Sequence, residues 1–271
     1  MHFHIVDTFA DGRFAGNPAA VVVGPSFPPV AQMQSAAHRI GLPTTAYLVP
    51  EGAGGYMVRW FTPYKEINLC GHATIASARH LFGEADNAGR ARLRFVSGHG
   101  TLYAERVGDL IAIDLPAAEL TLAQPPAGLL EALGVAAADA VACAVSSDDV
   151  LVELASAQAV AAVQPDFAAL GRQPFRGHIV TAVADDVDFV SRTFFPALGV
   201  DEDQVCVSAH CKLAPYWARR LGRRTFTAVQ LSERGGRLGV EDAGDRVRVL
   251  GTARVRDGVH EVDLLPAPSL T

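Results

Sequence analysis

Phe61-Thr62-Pro63, then Glu66, then Leu69-Cys70-Gly71-His72-Ala73-Thr74 runs from an alternating strand through a polar loop into an almost uncharged segment. Met57, Val58, Arg59, Trp60 and Phe61 alternate as a strand does. Residues 62–68 are polar, and 75–82 carry Ala76, Ala78 and Leu81 with few charges, as a buried helix should. A second stretch has the same plan: Glu202-Asp203-Gln204-Val205-Cys206-Val207-Ser208-Ala209-His210 leads into a largely apolar helix over 211–221. Each stretch puts small and reactive side chains at the start of a buried helix. The free N–H groups of a first helical turn favour an anion. Two such turns facing each other would clasp a carboxylate and put acid/base groups on both sides of it, which suits proton abstraction beside that carboxylate.

Working outward, strands are expected at 3–6, 19–23, 45–49, 57–61, 91–95, 100–106 and 110–115, with a helix over 30–40 ended by Gly41-Leu42-Pro43. The segment 116–126 holds three prolines and reads as an interdomain connection. The second half repeats the plan: a short helix at 127–133, strands at 140–145 and 150–154, a helix over 157–170 broken at Pro165, strands at 177–182 and 187–194, then the second buried helix. Strands at 224–230, 236–240 and 247–255 close it. The expected domains are 1–117 and 118–271, with a last strand able to pack back on the first. The likeness of the halves is architectural and not a sequence repeat.

The chain has 271 residues, 49% hydrophobic and 19% charged, enough to bury a sizeable core in one large or two ordinary domains. A net charge of −6, without a dense basic run, argues against nucleic acid as a partner. Arg219, Arg220, Arg223 and Arg224 read as the solvated end of a helix. No apolar run reaches the roughly 18 residues of a membrane span, and residues 1–7 lack the basic-then-apolar plan of a signal peptide. The expected setting is the cytoplasm, where thiols stay reduced. The four cysteines, Cys70, Cys143, Cys206 and Cys211, fit no zinc spacing, so no metal is expected.

These segments resemble the PhzF-like (phenazine-biosynthesis-type) isomerase family, within the diaminopimelate epimerase-like fold. The resemblance rests on four signatures in order: Asp7-Thr8-Phe9 with Phe14-Ala15-Gly16-Asn17-Pro18-Ala19-Ala20-Val21; Arg59-Trp60-Phe61-Thr62-Pro63 with Cys70-Gly71-His72-Ala73-Thr74; Arg192, Pro196, Gly199, Glu202-Asp203 and Ser208-Ala209-His210; and Pro215-Tyr216-Trp217 with Gln230, Ser232 and Arg234-Gly235-Gly236. It implies an α+β fold of two similar domains, each a curled, barrel-like sheet around a central buried helix. It also implies a cofactor-independent isomerase of a small carboxylate-bearing substrate, and a homodimer.

Three departures bear on function. Family members of the phenazine type carry a catalytic Glu in a stretch that here reads Leu42-Pro43-Thr44-Thr45, so Thr44 takes the Glu position. A threonine hydroxyl has no useful pKa near neutrality and cannot replace that acid/base. Cys206 stands where Thr is usual, and Val207 replaces a Gly that lets backbone come close. In epimerases and racemases of this fold two cysteines work from the starts of the two central helices, and Cys70 and Cys206 fall at the matching positions. The expected catalytic residues are therefore Cys70, Cys206, His72 and Asp203, with Gly71, Ser208, Thr44, Val207 and Asn17 lining the substrate. Three readings stay open: a two-thiol racemase or epimerase, a 1,3-proton shift run by Asp203 and His72, and a binding protein without activity. Cys70 also reads as a small buried hydrophobe, and Cys143 and Cys211 as packing residues.

Overall fold

The β-branched and alternating runs of the first part form eight strands: β1 (His2–Thr8), β2 (Asn17–Val23), β3 (Thr44–Pro50), β4 (Gly55–Phe61), β5 (Glu66–Ile67), β6 (Arg92–Ser97), β7 (Gly100–Val107) and β8 (Leu110–Pro116). Two helices, α1 (Val30–Ile40) and α2 (Gly71–Leu81), interrupt them. The computed structural model describes residues 1–52 and 54–264. Strand β1 pairs antiparallel with β2, β2 runs parallel to β3 through the α1 crossover, and β3 turns back antiparallel onto β4. Strand β4 runs parallel to β6 through the α2 crossover, and β7 and β8 follow antiparallel. This sheet curls around α2, which packs on β1, β2, β3 and β7.

Helix α1 covers the other face. Met33 and Ala37 meet Phe3, Ala20, Val22, Tyr47 and Phe61, and Tyr47 Oη donates to the Met33 carbonyl at 2.7 Å. The helix stops at Gly41, whose left-handed backbone (φ 68°) turns its N–H onto the Ala37 carbonyl.

The second unit comprises β9 (Thr121–Ala123), α3 (Leu129–Leu133), β10 (Ala140–Val145), β11 (Asp149–Leu154), α4 (Ala157–Ala162), α5 (Phe167–Leu170), β12 (Gly177–Val183), β13 (Phe189–Phe194), α6 (Val207–Leu221), β14 (Thr225–Gln230), β15 (Gly236–Asp242) and β16 (Arg246–Gly251). Its pairing repeats the first: β10 antiparallel to β11, β11 parallel to β12, β12 antiparallel to β13, β13 parallel to β14 through α6, β14 antiparallel to β15. Pro165 splits the expected helix over 157–170 into α4 and α5, each with its own side-chain cap: Ser156 Oγ accepts from Ala159 N–H at 3.1 Å and Asp166 Oδ1 from Ala169 N–H at 2.9 Å. Pro215 inside α6 has no N–H for the Cys211 carbonyl, and Ala118 N–H takes that carbonyl at 3.1 Å.

The last strands, β17 (Ala253–Val255) and β18 (His260–Glu261), pair antiparallel with β1. Accordingly, among the described residues one unit is Met1–Asp114 with 250–264, and the other is Leu115–Val249. The expected bounds from sequence are 1–117 and 118–271. The passage between units falls inside β8, just ahead of the proline-rich stretch.

Both central helices begin earlier than their periodicity suggests, at Gly71 and Val207. The four arginines read as a solvated helix end are all exposed, and three of them also have partners. Arg220 Nη2 lies 2.7 Å from Glu153, a carboxylate buried in β11 that also accepts from Tyr216 Oη. Arg223 pairs with Asp188, and Arg219 donates to the Leu120 carbonyl at 3.4 Å. A buried carboxylate needs a cation, and the helix end supplies it.

Among the described residues no helix is long and apolar enough to cross a membrane.

Gly16 opens the turn into Asn17 with φ 69°, and a Cβ there would meet the Thr8 carbonyl oxygen, which is backbone and cannot swing away. Gly16→Ala is expected to cost about 3 kcal/mol or more, since strain at a special φ adds to the collision. Urea denaturation measures it; a loss below about 1 kcal/mol would show that the turn relaxes freely.

Candidate active site

In the first unit Cys70 is the N-cap of α2, extended at φ −143° and ψ 102°. Its carbonyl is fixed twice, by Thr74 N–H at 3.0 Å and by Thr74 Oγ1 at 2.7 Å. The thiol donates to Thr44 Oγ1 at 3.4 Å, and its sulfur lies 3.4 Å from His72 Nδ1. Thr44 opens β3 and is buried, as are Cys70 and His72. Burial pushes the imidazole of His72 down to about 3, so it stays neutral at physiological pH. A neutral imidazole with a protonated ring nitrogen can donate to a thiolate without bringing a second charge into the site.

Helix α2 has no side-chain cap. Its first-turn N–H groups, on Gly71, His72 and Ala73, are thus left to other acceptors. Asn17 opens β2 and is wholly buried; its carbonyl accepts from Thr8 Oγ1 at 2.8 Å.

In the second unit Cys206 is the N-cap of α6 and its thiol does the capping: Sγ accepts from Ala209 N–H at 3.4 Å. Ser208 Oγ lies 3.3 Å from the same sulfur. With Ala209 N–H engaged, the first-turn groups left are those of Val207 and Ser208. Val207 is buried, and Ser208 is partly exposed. Burial pushes the Cys206 thiol well up, and the carboxylates of Asp203 and Asp149 push the same way. Hydrogen bonds from Ser208 and Ala209 oppose them. Cys206 at rest is therefore a protonated thiol.

Gln230 organises this helix start. Its Oε1 accepts from Cys206 N–H at 2.8 Å, and its Nε2 donates to Thr193 Oγ1 at 3.0 Å and to the Asp203 carbonyl at 2.5 Å. Asp203 N–H donates to the Thr193 carbonyl at 3.0 Å. In the sequence Gln230 belongs to the fourth signature with no role attached. Its signal was available, because an amide at the end of an apolar strand must satisfy its polar atoms.

Of the nine residues expected at the site, Thr44, Cys70, Gly71 and His72 meet at the start of α2. Asp203, Cys206, Val207 and Ser208 meet at the start of α6. Asn17 stands at the head of a strand on which α2 packs. Cys143 and Cys211 are buried, and Cys211 Sγ donates to the Val207 carbonyl at 3.5 Å. Among the described residues no group of three His, Cys, Asp or Glu side chains is placed to hold a metal ion.

His210 carries a consequence for stability. Its Nδ1 donates to the Cys206 carbonyl at 2.7 Å, its ring stacks on Phe189, and its Nε2 is buried without a partner. Burial pushes it down to about 4. Above pH ~6.5 both folded and unfolded chains hold it neutral. As the pH falls towards 4 the unfolded chain takes up a proton that the folded chain does not, so stability is lost through this window and levels off below it. The loss from His210 amounts to about 3 kcal/mol. Urea midpoints between pH 7 and 4 should fall more steeply for the unmodified chain than for His210→Gln; equal slopes would count against a neutral buried imidazole.

A family profile described as phenazine biosynthesis-like protein (PhzC-PhzF) matches residues 6–258. The chain is 45% identical over 253 residues to a protein of Pseudomonas aeruginosa named an uncharacterized isomerase, covering 93% of this chain and 95% of that one. It is 40% identical to a PhzF-family phenazine biosynthesis protein of Enterococcus faecalis whose crystal structure superposes with a TM-score of 0.89, covering 97% and 98% of the two chains. A probable proline racemase from Agrobacterium radiobacter, 11% identical, superposes at 0.64 over 99% of this chain and 94% of its own, and shares the fold. The chain belongs to the phenazine biosynthesis-like family, and its architecture is the expected racemase- and epimerase-like one.

Proposed function

We propose that this isomerase of the phenazine biosynthesis-like family moves a proton between the two faces of one carbon in a small carboxylate-bearing substrate, with Cys70 and Cys206 as the acid/base pair. One observation carries the reading. The same crossover occurs in both halves, β4–α2–β6 and β13–α6–β14, and in each a cysteine is the N-cap of the central helix. Two thiols at equivalent positions of a duplicated plan suit a reaction that needs one base and one acid.

The chemistry balances with these groups. The thiolate of one cysteine takes the α-proton. The electron pair left behind delocalises into the substrate carboxylate as an enediolate. The thiol of the other cysteine then gives its proton to the opposite face, and the pair ends with its protonation exchanged. First-turn N–H groups of Gly71, His72 and Ala73, and of Val207 and Ser208, are the donors suited to the charge that develops on the carboxylate. Cys206, pushed up by burial and by neighbouring carboxylates, suits the acid. Cys70 has a neutral imidazole and a hydroxyl on its sulfur and suits the base. Asp203 takes part through its charge at Cys206. A 1,3-shift in which His72 gains a proton during the reaction is disfavoured by a value near 3. No organic cofactor or metal enters this scheme, and the family resemblance supports a homodimer.

Deuterium wash-in tests it. The reduced chain is incubated in heavy water with amino acids, hydroxy acids and a dihydro-hydroxyanthranilate, and mass spectrometry reads the exchange. Exchange at an α-carbon is expected, and Cys70→Ser or Cys206→Ser should each lower it by about 100-fold or more, the range of general acid–base catalysis. Exchange confined to the cyclic diene and indifferent to Cys206 would return the protein to a 1,3-shift. Absence of exchange on every compound would favour a binding protein.

A further inference from the structure

Register places Gly177 where the first half has Thr44. Each opens the second strand of a parallel pair, and each is followed by a residue that faces a phenylalanine across a hairpin, Thr45 opposite Phe61 and His178 opposite Phe194. Thr44 sets a hydroxyl against the Cys70 thiol. Gly177 has no side chain, and the Phe195 ring and a carboxylate share the space beside it: a Cβ there would collide with Phe195 Cε1 and lie 2.7 Å from Asp149 Oδ1. Asp149 opens β11 and is the register partner of Gly177.

Asp149 is wholly shut off from water. Lys212 Nζ lies 2.7 Å from its Oδ2, and Arg176 holds both oxygens, through Nε at 3.0 Å and Nη2 at 2.7 Å. Asp148 lies 3.3 Å from each cation. Lys212 is only 4% exposed and projects from α6, the helix that Cys206 begins. A buried ion pair adds little net stability, because desolvation offsets the attraction, so stability alone is a poor account of it. Its place gives a better one. Lys212 ties the helix that Cys206 caps to Asp149 at the head of β11, and the carboxylate of Asp149 adds to burial and Asp203 in keeping the Cys206 thiol protonated.

We propose that Asp149, with Lys212 and Arg176, is a positioning network for Cys206, fixing the start of α6 and setting the charge that the thiol meets. The proposal rests on the reading of Cys206 as a proton-transfer thiol, yet its test reads the thiol and not turnover. The groups that face Cys206 are Asp203 from the preceding loop, Asp149 from β11, Arg176 ahead of β12, Ser208 and His210 from α6, and Gln230 from β14. Of these Asp203 and then Asp149 make the thiolate harder to form, and Lys212 and Arg176 pair with Asp149 and oppose its charge. At the equivalent register positions one half thus has a hydroxyl on its thiol and the other a glycine beside an ion-paired carboxylate.

The test is alkylation of Cys206 by iodoacetamide across pH in the full chain, read by peptide mass spectrometry so that Cys70, Cys143 and Cys211 are followed separately. Asp149→Asn removes the negative charge and should speed alkylation at pH 8 by about three- to tenfold, half to one unit in the thiol. Lys212→Met leaves Asp149 less compensated and should slow it by a similar factor. Both variants break the same ion pair. A merely structural role would loosen the helix in both and speed both, and that outcome overturns the proposal, as does an unchanged rate in both. Should either fail to fold, Arg176→Met, at a side chain 36% exposed, must slow alkylation, and Asp149→Asn with Lys212→Met must fold and react between the two single variants. Missing deuterium exchange would defeat the two-thiol reaction and leave these opposed signs standing.

Discussion

A helix buried along its length must satisfy its own ends. Nine of the eleven residues of α2 are buried, including His72, Thr74, Ser77 and His80. Thr74 and Ser77 answer this inside the helix, each donating to the carbonyl four residues back at 2.7 Å. Ala73, Ala76 and Ala78 keep the surface small enough for strands to close round it. The first-turn N–H groups cannot be answered this way, because nothing precedes them. They must meet a side chain, water or a ligand. That constraint ties fold to site: wrapping a sheet around a helix leaves a cluster of donors at the helix start, and whatever residue caps it stands among them.

The two halves meet the constraint differently. At α6 the cysteine caps its own helix, Gln230 takes the Cys206 N–H, and Val207 and Ser208 keep theirs. At α2 the cysteine turns its thiol to Thr44 and His72, and three N–H groups stay open. Pairing order and crossovers are duplicated; the side chains that finish each helix start are not.

Much of this was legible in the sequence, for reasons that can be named. The runs Ala19-Ala20-Val21-Val22-Val23 and Met57-Val58-Arg59-Trp60-Phe61 announced strands because β-branching and alternation fit a pleated surface. Pro165 announced the break between α4 and α5. The short pieces β5, β9 and β18 were not expected, since two or three residues carry no period. Both buried helices start earlier than expected because their N-caps, Cys70 and Cys206, are not of the usual capping types, and Cys206 caps through sulfur. Cysteine at both starts was readable, as was the replacement of the family Glu by Thr44. The ion network was not: Asp149, Arg176 and Lys212 lie far apart in the chain, and a lone lysine in an apolar helix signals a buried cation without naming its partner.

Unlike surroundings suit the reaction proposed here. A two-base isomerase alternates between two protonation forms, each the start for one direction. If both thiols met the same surroundings, forms with two thiols or with two thiolates would compete with the working ones, and neither can turn over. Raising the proton affinity of one thiol favours the form in which it is the acid and its partner the base. Asp203, Asp149 and burial all act on Cys206 in that sense, whereas Cys70 has the neutral groups of Thr44 and His72 on its sulfur. The reverse direction needs Cys206 as thiolate, so this bias has to be opposed. Lys212 and Arg176 pair with Asp149 and oppose its charge, and Ser208 and Ala209 N–H offer hydrogen bonds to the sulfur once it is charged.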